Sequence, residues 1–209
     1  MVVLPGDSTK AGRPPLGHLS RGTLLKGSIA GLGALAGAAV GTTELAASPN
    51  AHGSAATDKE ILTFGLLIER LQAAFYAEAL RSAHLTGEAH QFAKVVGGHE
   101  QEHAKFLESA LGPAAGKSPQ FKFGDAVTDP AKFLATAISL EEAGLGVYNG
   151  QGVNLTPATL AAAAKIVSVE ARHTAWARAL AKELPAPVAV DVPVSVSQAK
   201  HTFQQFIVS

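Results

Sequence analysis

Two short motifs of the form Glu-x-x-His do most to limit how this chain can fold, and they occupy residues 100–103 and 170–173. Each motif follows another glutamate, Glu69 or Glu141, by roughly the length of one helix and a turn. Glu69 and Glu141 are 72 residues apart, and the two motifs are 70 residues apart. This order indicates a diverged internal repeat in which each half supplies the same side chains.

The only two tyrosines of the chain repeat in the same way. Tyr76 follows Glu69 by seven residues, and Tyr148 follows Glu141 by seven residues. Seven residues make two helical turns, so each tyrosine shares a helix face with its glutamate. We therefore expect both tyrosines to donate hydrogen bonds to nearby carboxylates. No catalytic residue follows from the sequence.

The repeated side chains predict a centre for two metal ions inside a four-helix bundle. Within a helix, Glu at position i and His at i+3 point to the same side, so one helix offers a carboxylate and an imidazole to one ion. Two such helices, with one glutamate from each of two others, form a donor set that suits iron or manganese. Two divalent cations would also balance four buried carboxylates, which are strongly destabilising when unpaired. The predicted ligands are Glu69, Glu100, His103, Glu141, Glu170 and His173.

The sequence allows more than one interpretation of three features near these ligands. Glu142 is an alternative to Glu141, which is preferred because it keeps the spacing to a tyrosine that Glu69 has. His99 belongs either in solvent or beside a ligand. The glycines at residues 97–98 indicate either a close approach between helices or a local kink.

Capping residues and apolar periodicity predict an all-α chain with four long helices. A long polar crossover at residues 112–128 separates the second helix from the third, and the connections within each pair are short. Pro185 and Pro187 stop the fourth helix. The predicted starts are a capping box at residues 57–60, Thr86, Asp129-Pro130 and Thr156-Pro157.

Three segments follow from these boundaries. Residues 1–56 form an export signal and a flexible linker, residues 57–184 form the bundle, and residues 185–209 form a C-terminal extension. The extension is extended over residues 188–195. It then contains a short amphipathic helix near residues 197–207, which we expect to pack on the bundle or on a neighbouring subunit.

The N-terminal segment predicts export to the periplasm or the exterior. Residues 20–26 read Ser-Arg-Gly-Thr-Leu-Leu-Lys and precede an apolar stretch, residues 27–40. This resembles a twin-arginine signal in which Gly22 replaces the second arginine. A general secretory signal is the alternative. For either signal, cleavage is expected within residues 46–56. An uncleaved membrane anchor is the third interpretation, although the apolar stretch is short for a span of ~20 residues.

Composition excludes several other classes of protein. Lys and Arg together number 17, as do Asp and Glu, so no basic surface for nucleic acid is expected. The chain has no cysteine. Disulfides, cysteine-bound zinc, iron–sulfur clusters and a rubredoxin-type iron centre are therefore excluded.

These features resemble the ferritin-like superfamily, and the chain is most similar to exported bacterial ferritin-like proteins of the desiccation-related type. The resemblance covers about residues 57–207 and implies a ferritin-like four-helix bundle with a di-iron or di-manganese site on the six predicted ligands. It implies no particular reaction, because a fold does not fix a function. It rests on Leu-Leu-Ile-Glu69 with Phe-Tyr76, His-Glu100-Gln-Glu-His103, Leu-Glu141-Glu with Val-Tyr148, Val-Glu170-Ala-Arg-His173, and the late Gln-Gln-Phe-Ile.

Three functions are consistent with these features of the sequence. The first is a di-metal oxidoreductase of the cell envelope, ferroxidase or catalase-like, that reacts with oxygen, peroxide or Fe(II) and protects against oxidative or desiccation stress. The second is a protective bundle that binds metal without turnover. The third is a structural bundle that binds a partner through its C-terminal helix. The expected partner is a small-molecule oxidant, and no binding of nucleic acid is expected. Contact with a membrane is expected only if the N-terminal segment stays uncleaved. The chain could also form a homo-oligomer.

Overall fold

The structure is a computed structural model that describes residues 53–208. Within this range the secondary structure is helical apart from one isolated bridge between Phe121 and Ile207, so the predicted all-α class is confirmed. The short 3-10 helices are Gly112–Ala115, Gly124–Val127 and Gly152–Asn154. The α-helices are α1 Ala55–Ser82, α2 Gly87–Leu111, α3 Pro130–Gln151, α4 Pro157–Leu180 and α5 Val196–Gln204.

The four long helices form two pairs, α1 with α2 and α3 with α4. Short connections join the helices of each pair, whereas the chain between α2 and α3 is long and contains two 3-10 turns. This is the connectivity of a bundle with one long crossover, as predicted. No helix within residues 53–208 is long and apolar enough to span a membrane. The predicted export signal lies outside the described residues, and the division of the chain into three segments stays a prediction.

Among the predicted helix starts, only the one at Asp129 has a side-chain cap from the expected residue. Asp129 caps α3, because its Oδ1 accepts hydrogen bonds from the backbone of Ala131 at 2.8 Å and of Lys132 at 3.1 Å. Thr86 and Thr156 immediately precede α2 and α4, but neither side chain caps its own helix.

The predicted capping box at residues 57–60 is wrong. Ser54 caps α1 instead, with its hydroxyl accepting from the backbone N–H of Thr57 at 3.1 Å. Thr57 therefore lies inside the first turn. The next residue, Asp58, bonds to the start of α4 rather than to its own helix.

The C-terminal extension packs on α3. α4 ends at Leu180, before the predicted proline stop, and α5 covers the region where a short helix was predicted. Between them, Val194 donates a backbone hydrogen bond to the carbonyl of Gly146 at 2.8 Å. A methyl group on Gly146 or Gly150 would collide with Val194, so these two glycines are what allows the segment to lie against the helix.

The apolar core consists of two clusters. We call them the aromatic end and the aliphatic end of the bundle. The glutamates of the two motifs lie between them, since Val96 and Ala104 flank Glu100 on α2. The aliphatic end comprises Leu66, Ala104, Leu107 and Ile166. The buried aromatic residues of the aromatic end are Phe75, Tyr76, Phe92, Phe123, Phe133 and Phe203.

Candidate metal centre

The six predicted ligands converge between the two apolar clusters. They form two groups in which one ligand atom from each residue lies within 4.8 Å of all the others. Glu100 and Glu170 belong to both groups, so their carboxylates are placed to be shared between two ions. The first group is Glu69, Glu100, His103 and Glu170; the second is Glu100, Glu141, Glu170 and His173.

All four glutamates are removed from solvent. Glu69, Glu100 and Glu141 are 0% exposed and Glu170 is 1% exposed. His173 is also buried, whereas the side chain of His103 keeps 12% of its surface accessible. Four carboxylates at this depth need compensating positive charge, because burial disfavours an unpaired ion by several kcal/mol or more.

The unpaired atoms of the centre fit a bound cation. Glu69 Oε2, Glu100 Oε1, Glu141 Oε2, Glu170 Oε1 and His173 Nδ1 are buried without a hydrogen-bond partner. The nitrogen of His173 lies 2.9 Å from Glu100 Oε1 but is not oriented to bond to it. Buried polar atoms are normally paired, so several unpaired ones facing a common space indicate a missing positive partner. Carboxylate oxygen and imidazole nitrogen are donors that iron and manganese accept.

Without metal ions, bound protons supply part of the positive charge that the centre needs. Burial, and then the charges of neighbouring carboxylates, raise the pKa of Glu100 and of Glu170 well above the ordinary range of glutamate. Burial alone would lower the pKa of His103, but its Nδ1 contacts three glutamates and the pKa rises to about 12. Burial likewise opposes ionisation of Glu69, yet the positive charge of His103, whose Nδ1 lies 3.4 Å from Glu69 Oε2, lowers its pKa.

Each tyrosine reaches across the bundle to the glutamate of the other half. The hydroxyl of Tyr76 on α1 donates to Glu141 Oε1 on α3 at 2.5 Å. The hydroxyl of Tyr148 on α3 donates to Glu69 Oε1 on α1. Burial, and then the adjacent carboxylates, raise the pKa of both phenols well above the ordinary value, so both remain donors. In each case the second carboxylate oxygen is left facing the centre.

Two further residues touch the centre. Gln72, 0% exposed, donates from Nε2 to Glu141 Oε1 at 3.1 Å, and His99 Nδ1 lies 2.8 Å from His173 Nε2. Sequence reasoning left His99 between two roles and passed over Gln72. The available signal for Gln72 was a polar side chain three residues after Glu69, on the stripe that leads to Tyr76.

The other details left open have plain answers in the structure. Glu142 lies outside the centre and forms an ion pair with Arg178 of α4, whereas Glu141 lies inside. Gly97 marks a close approach, because a Cβ there would lie 2.7 Å from Tyr76 Cβ. Gly98 has open space around it, and α2 runs through both glycines without a break.

An open groove of about 850 Å³ lies away from this centre. It is lined by the first half of α1, by the crossover and by α5, and none of the six predicted ligands contributes to it. The candidate chemistry therefore lies inside the bundle, where the polar groups converge, and not in this concave surface.

Comparison with known proteins gives a match over the bundle itself. Residues 57–183 match the family described as "Ferritin-like domain". This range includes all six predicted ligands and both tyrosines. No curated protein matches the chain.

Proposed function

The chain belongs to the ferritin-like domain family, and from that premise we propose that it holds two iron or manganese ions on the six side chains of its centre. We further propose that it is an exported protein of the cell envelope. There it would protect against oxidative or desiccation stress through chemistry with oxygen, peroxide or Fe(II). The export part is supported by the signal-like sequence at residues 20–40, and fractionation of host cells tests it.

The observation that carries the metal assignment is the set of buried, unpaired atoms that face one another. Four of them are carboxylate oxygens and one is an imidazole nitrogen. A purely structural bundle has no need of charged residues in these places, because replacing buried charges by well-packed hydrophobic side chains is often neutral or stabilising. Two divalent ions explain why the charged residues are present.

Such a pair of ions, when bound, supplies electron exchange with oxygen, peroxide or Fe(II). The protein's own contribution is positioning. Tyr76 holds one oxygen of Glu141 and Tyr148 holds one oxygen of Glu69, which leaves the other oxygen of each carboxylate free to bind. The apolar clusters on both sides exclude water, which strengthens every charge interaction inside the centre.

A protective protein that binds metal without turnover is the alternative. The burial of all four glutamates favours it, since only His103 among the six leaves an appreciable part of its side chain accessible. The two functions differ in whether the metal-loaded protein consumes peroxide or oxidises added Fe(II).

The test is the metal content of the protein purified from its own host, compared with a Glu100→Ala/Glu170→Ala variant. We expect two iron or manganese ions per chain, lost in the variant. Glu102→Ala is the matched control, because Glu102 lies on the same helix but pairs with Lys105 in solvent. It should keep its metal.

Peroxide and Fe(II) oxidation assays then separate the two functions. Consumption by the metal-loaded protein, absent from the double variant, supports the oxidoreductase. Bound metal without consumption supports the protective alternative. A metal-free protein that is folded and equally stable in both forms would contradict the metal centre.

A further inference from the structure

The two metal positions of the proposed centre have unequal surroundings. Glu100 and Glu170 are common to both, so the positions differ in their other ligands. We call them the Glu69 position, which has Glu69 and His103, and the Glu141 position, which has Glu141 and His173. The inference below rests on the proposed two-metal centre.

Gln72 supports the Glu141 position alone. Its amide donates to Glu141 Oε1, the same oxygen that accepts from Tyr76. The residue at the equivalent place in the second half, 72 positions later, is Gly144. Gly144 has no side chain to offer Glu69. Gln72 itself packs against this glycine, with its Oε1 3.5 Å from the place that a Cβ on Gly144 would take, which is an ordinary van der Waals contact.

His99 supports the same position through the other ligand. The ring of His99 stacks on that of His173 with centroids 5.1 Å apart, and the nitrogens that face each other are 2.8 Å apart. Nδ1 of His173 faces the carboxylates. A hydrogen on Nε2 therefore donates to His99, which fixes the tautomer that leaves Nδ1 free to bind. The equivalent residue of the second half is Val169, which has no polar side-chain atom to offer His103.

The support is thus one-sided. Three side chains of α1 and α2 orient the ligands peculiar to the Glu141 position, whereas one side chain of α3 orients a ligand peculiar to the Glu69 position. Exposure follows the same division, at 4% for the side chain of His173 and 12% for that of His103. A ligand already held in its binding geometry loses less conformational freedom when an ion binds. The supporting side chains are Tyr76, Gln72 and His99 for the first position and Tyr148 for the second.

We propose that the Glu141 position takes its ion first and more tightly, that the Glu69 position holds the exchangeable ion, and that Gln72 and His99 are the positioning residues that create the difference. Loss of an outer hydrogen-bond partner of a metal ligand typically weakens metal binding by about 10–100-fold. The two positions should differ by a factor of that order.

Titration of the metal-free protein with Co(II) tests this, with calorimetry and Co(II) absorption as readouts. We expect two binding steps, the first at least about tenfold tighter than the second. Two variants assign the steps to positions. His173→Ala should remove the tight step, and His103→Ala should remove the weak step while the tight one remains.

Variants of the positioning residues test the cause. His99→Val places in the first half the residue found in the second, and it should weaken the tight step by about 10–100-fold and leave the weak one unchanged. Gln72→Leu should act in the same direction. His99→Gln retains an acceptor and should restore most of the affinity. Tyr148→Phe is the matched control, because it should weaken only the weak step.

Several results would overturn the inference. Two equal steps in the unaltered protein, or a weak step that responds to His99→Val, would overturn the order of filling but leave the two-metal centre in place. Loss of the weak step in His173→Ala would reverse the assignment. Absence of Co(II) binding by the unaltered protein would overturn the proposed metal centre itself.

Discussion

The aromatic and aliphatic ends of the bundle flank the same polar centre but are held together in different ways. At the aromatic end, Phe75 stacks on Phe133 with ring centroids 5.3 Å apart, and Phe123 meets Phe75 edge-on at 5.4 Å. At the aliphatic end the buried cluster is small and contains no phenylalanine. A hydrogen-bonded carboxylate, Asp58, joins α1 to the start of α4 there instead.

The difference shows how the bundle accommodates a polar centre within its core. Burial of apolar surface is the main stabilising term in folding, and most of it lies on one side of the centre. The other side has less apolar surface, so polar bonds such as those of Asp58 join the helices there, and the two proposed ions would add to them. Four predictions test this division, from the largest effect to the smallest.

The largest effect is expected from Phe75→Ala at the aromatic end. Phe75 is 0% exposed and contacts three other rings, so its removal should lower the free energy of unfolding by about 3–5 kcal/mol. Denaturant unfolding of the metal-free protein measures it. Phe106→Ala is the control, because Phe106 is 44% exposed and should change stability by less than about 0.5 kcal/mol. A larger loss from Leu66→Ala at the aliphatic end would contradict the division.

The second prediction concerns metal and pH together. Some groups have a higher pKa in the folded, metal-free protein than in the unfolded chain. When the pH exceeds the ordinary pKa of such a group, the folded protein holds the proton more tightly, so stability falls as the pH rises. Glu100 and Glu170 contribute their full stabilisation below pH 4.5, and this contribution is lost as the pH rises toward their raised pKa values. His103 contributes its full stabilisation below pH 6.5 and loses it as the pH rises toward its pKa of about 12. Glu69 acts oppositely, since its pKa is lowered and its contribution is lost as pH falls below 4.5.

Metal ions displace these protons, so metal binding should strengthen as pH rises. The metal-free protein should therefore lose stability between about pH 7 and 9, while the stabilisation by Mn(II) grows. At a free Mn(II) concentration of about 100 times the Kd of the tighter position, that position contributes about 2.7 kcal/mol. Thermal unfolding with and without Mn(II) measures both trends. The Glu100→Ala/Glu170→Ala variant is the control and should gain nothing from Mn(II). Stabilisation by Mn(II) that falls with pH would count against the centre.

The parts of the structure that the sequence predicted well depend on local or repeated signals. Asp129 and Pro130 start α3 as expected, because a cap and a proline act within one turn. The six residues of the centre were recognisable because the pattern occurs twice, and the structure brings them together; that they bind metal stays a prediction.

What the sequence did not reveal depends on contacts between distant segments. Gln72 of α1 reaches Glu141 of α3, which lies 69 residues away in the sequence. Asp58 has no assigned role in the predicted capping box at residues 57–60, whereas it bonds to Thr156 nearly a hundred residues away. No local pattern distinguishes these roles from those of ordinary polar residues in a helix.

The third prediction tests the polar joint of the aliphatic end. Asp58 accepts hydrogen bonds from the backbone and hydroxyl of Thr156 and from the hydroxyl of Thr159. Asp58→Ala leaves these donors without their acceptor, so we expect a loss of about 2 kcal/mol in the free energy of unfolding. Asp125→Ala is the control, because Asp125 is exposed and should change stability by less than about 0.5 kcal/mol.

The ionisation of Asp58 gives this joint a pH dependence. Burial opposes ionisation, but the bonds from Thr156 and Thr159 hold the pKa below its ordinary value. The contribution is therefore present above pH 3.8 and lost as pH falls through the lowered pKa. A difference between the unaltered protein and Asp58→Ala that persisted unchanged in stronger acid would show that charge is not involved.

The smallest effect is expected at the end of α4, beside the aromatic end. Lys182 follows the helix with φ of 61°, and Glu183 bonds back to the carbonyl of Arg178 at 2.9 Å. This left-handed conformation strains a residue with a Cβ and suits glycine. Lys182→Gly should raise the free energy of unfolding by about 1 kcal/mol, whereas Lys182→Ala should leave it unchanged because alanine keeps the Cβ. Equal stabilities of the two variants would show that the turn is unstrained. Because Lys182 lies outside the centre, Co(II) affinity should be the same in both, which would separate the stability of the aromatic end from metal binding.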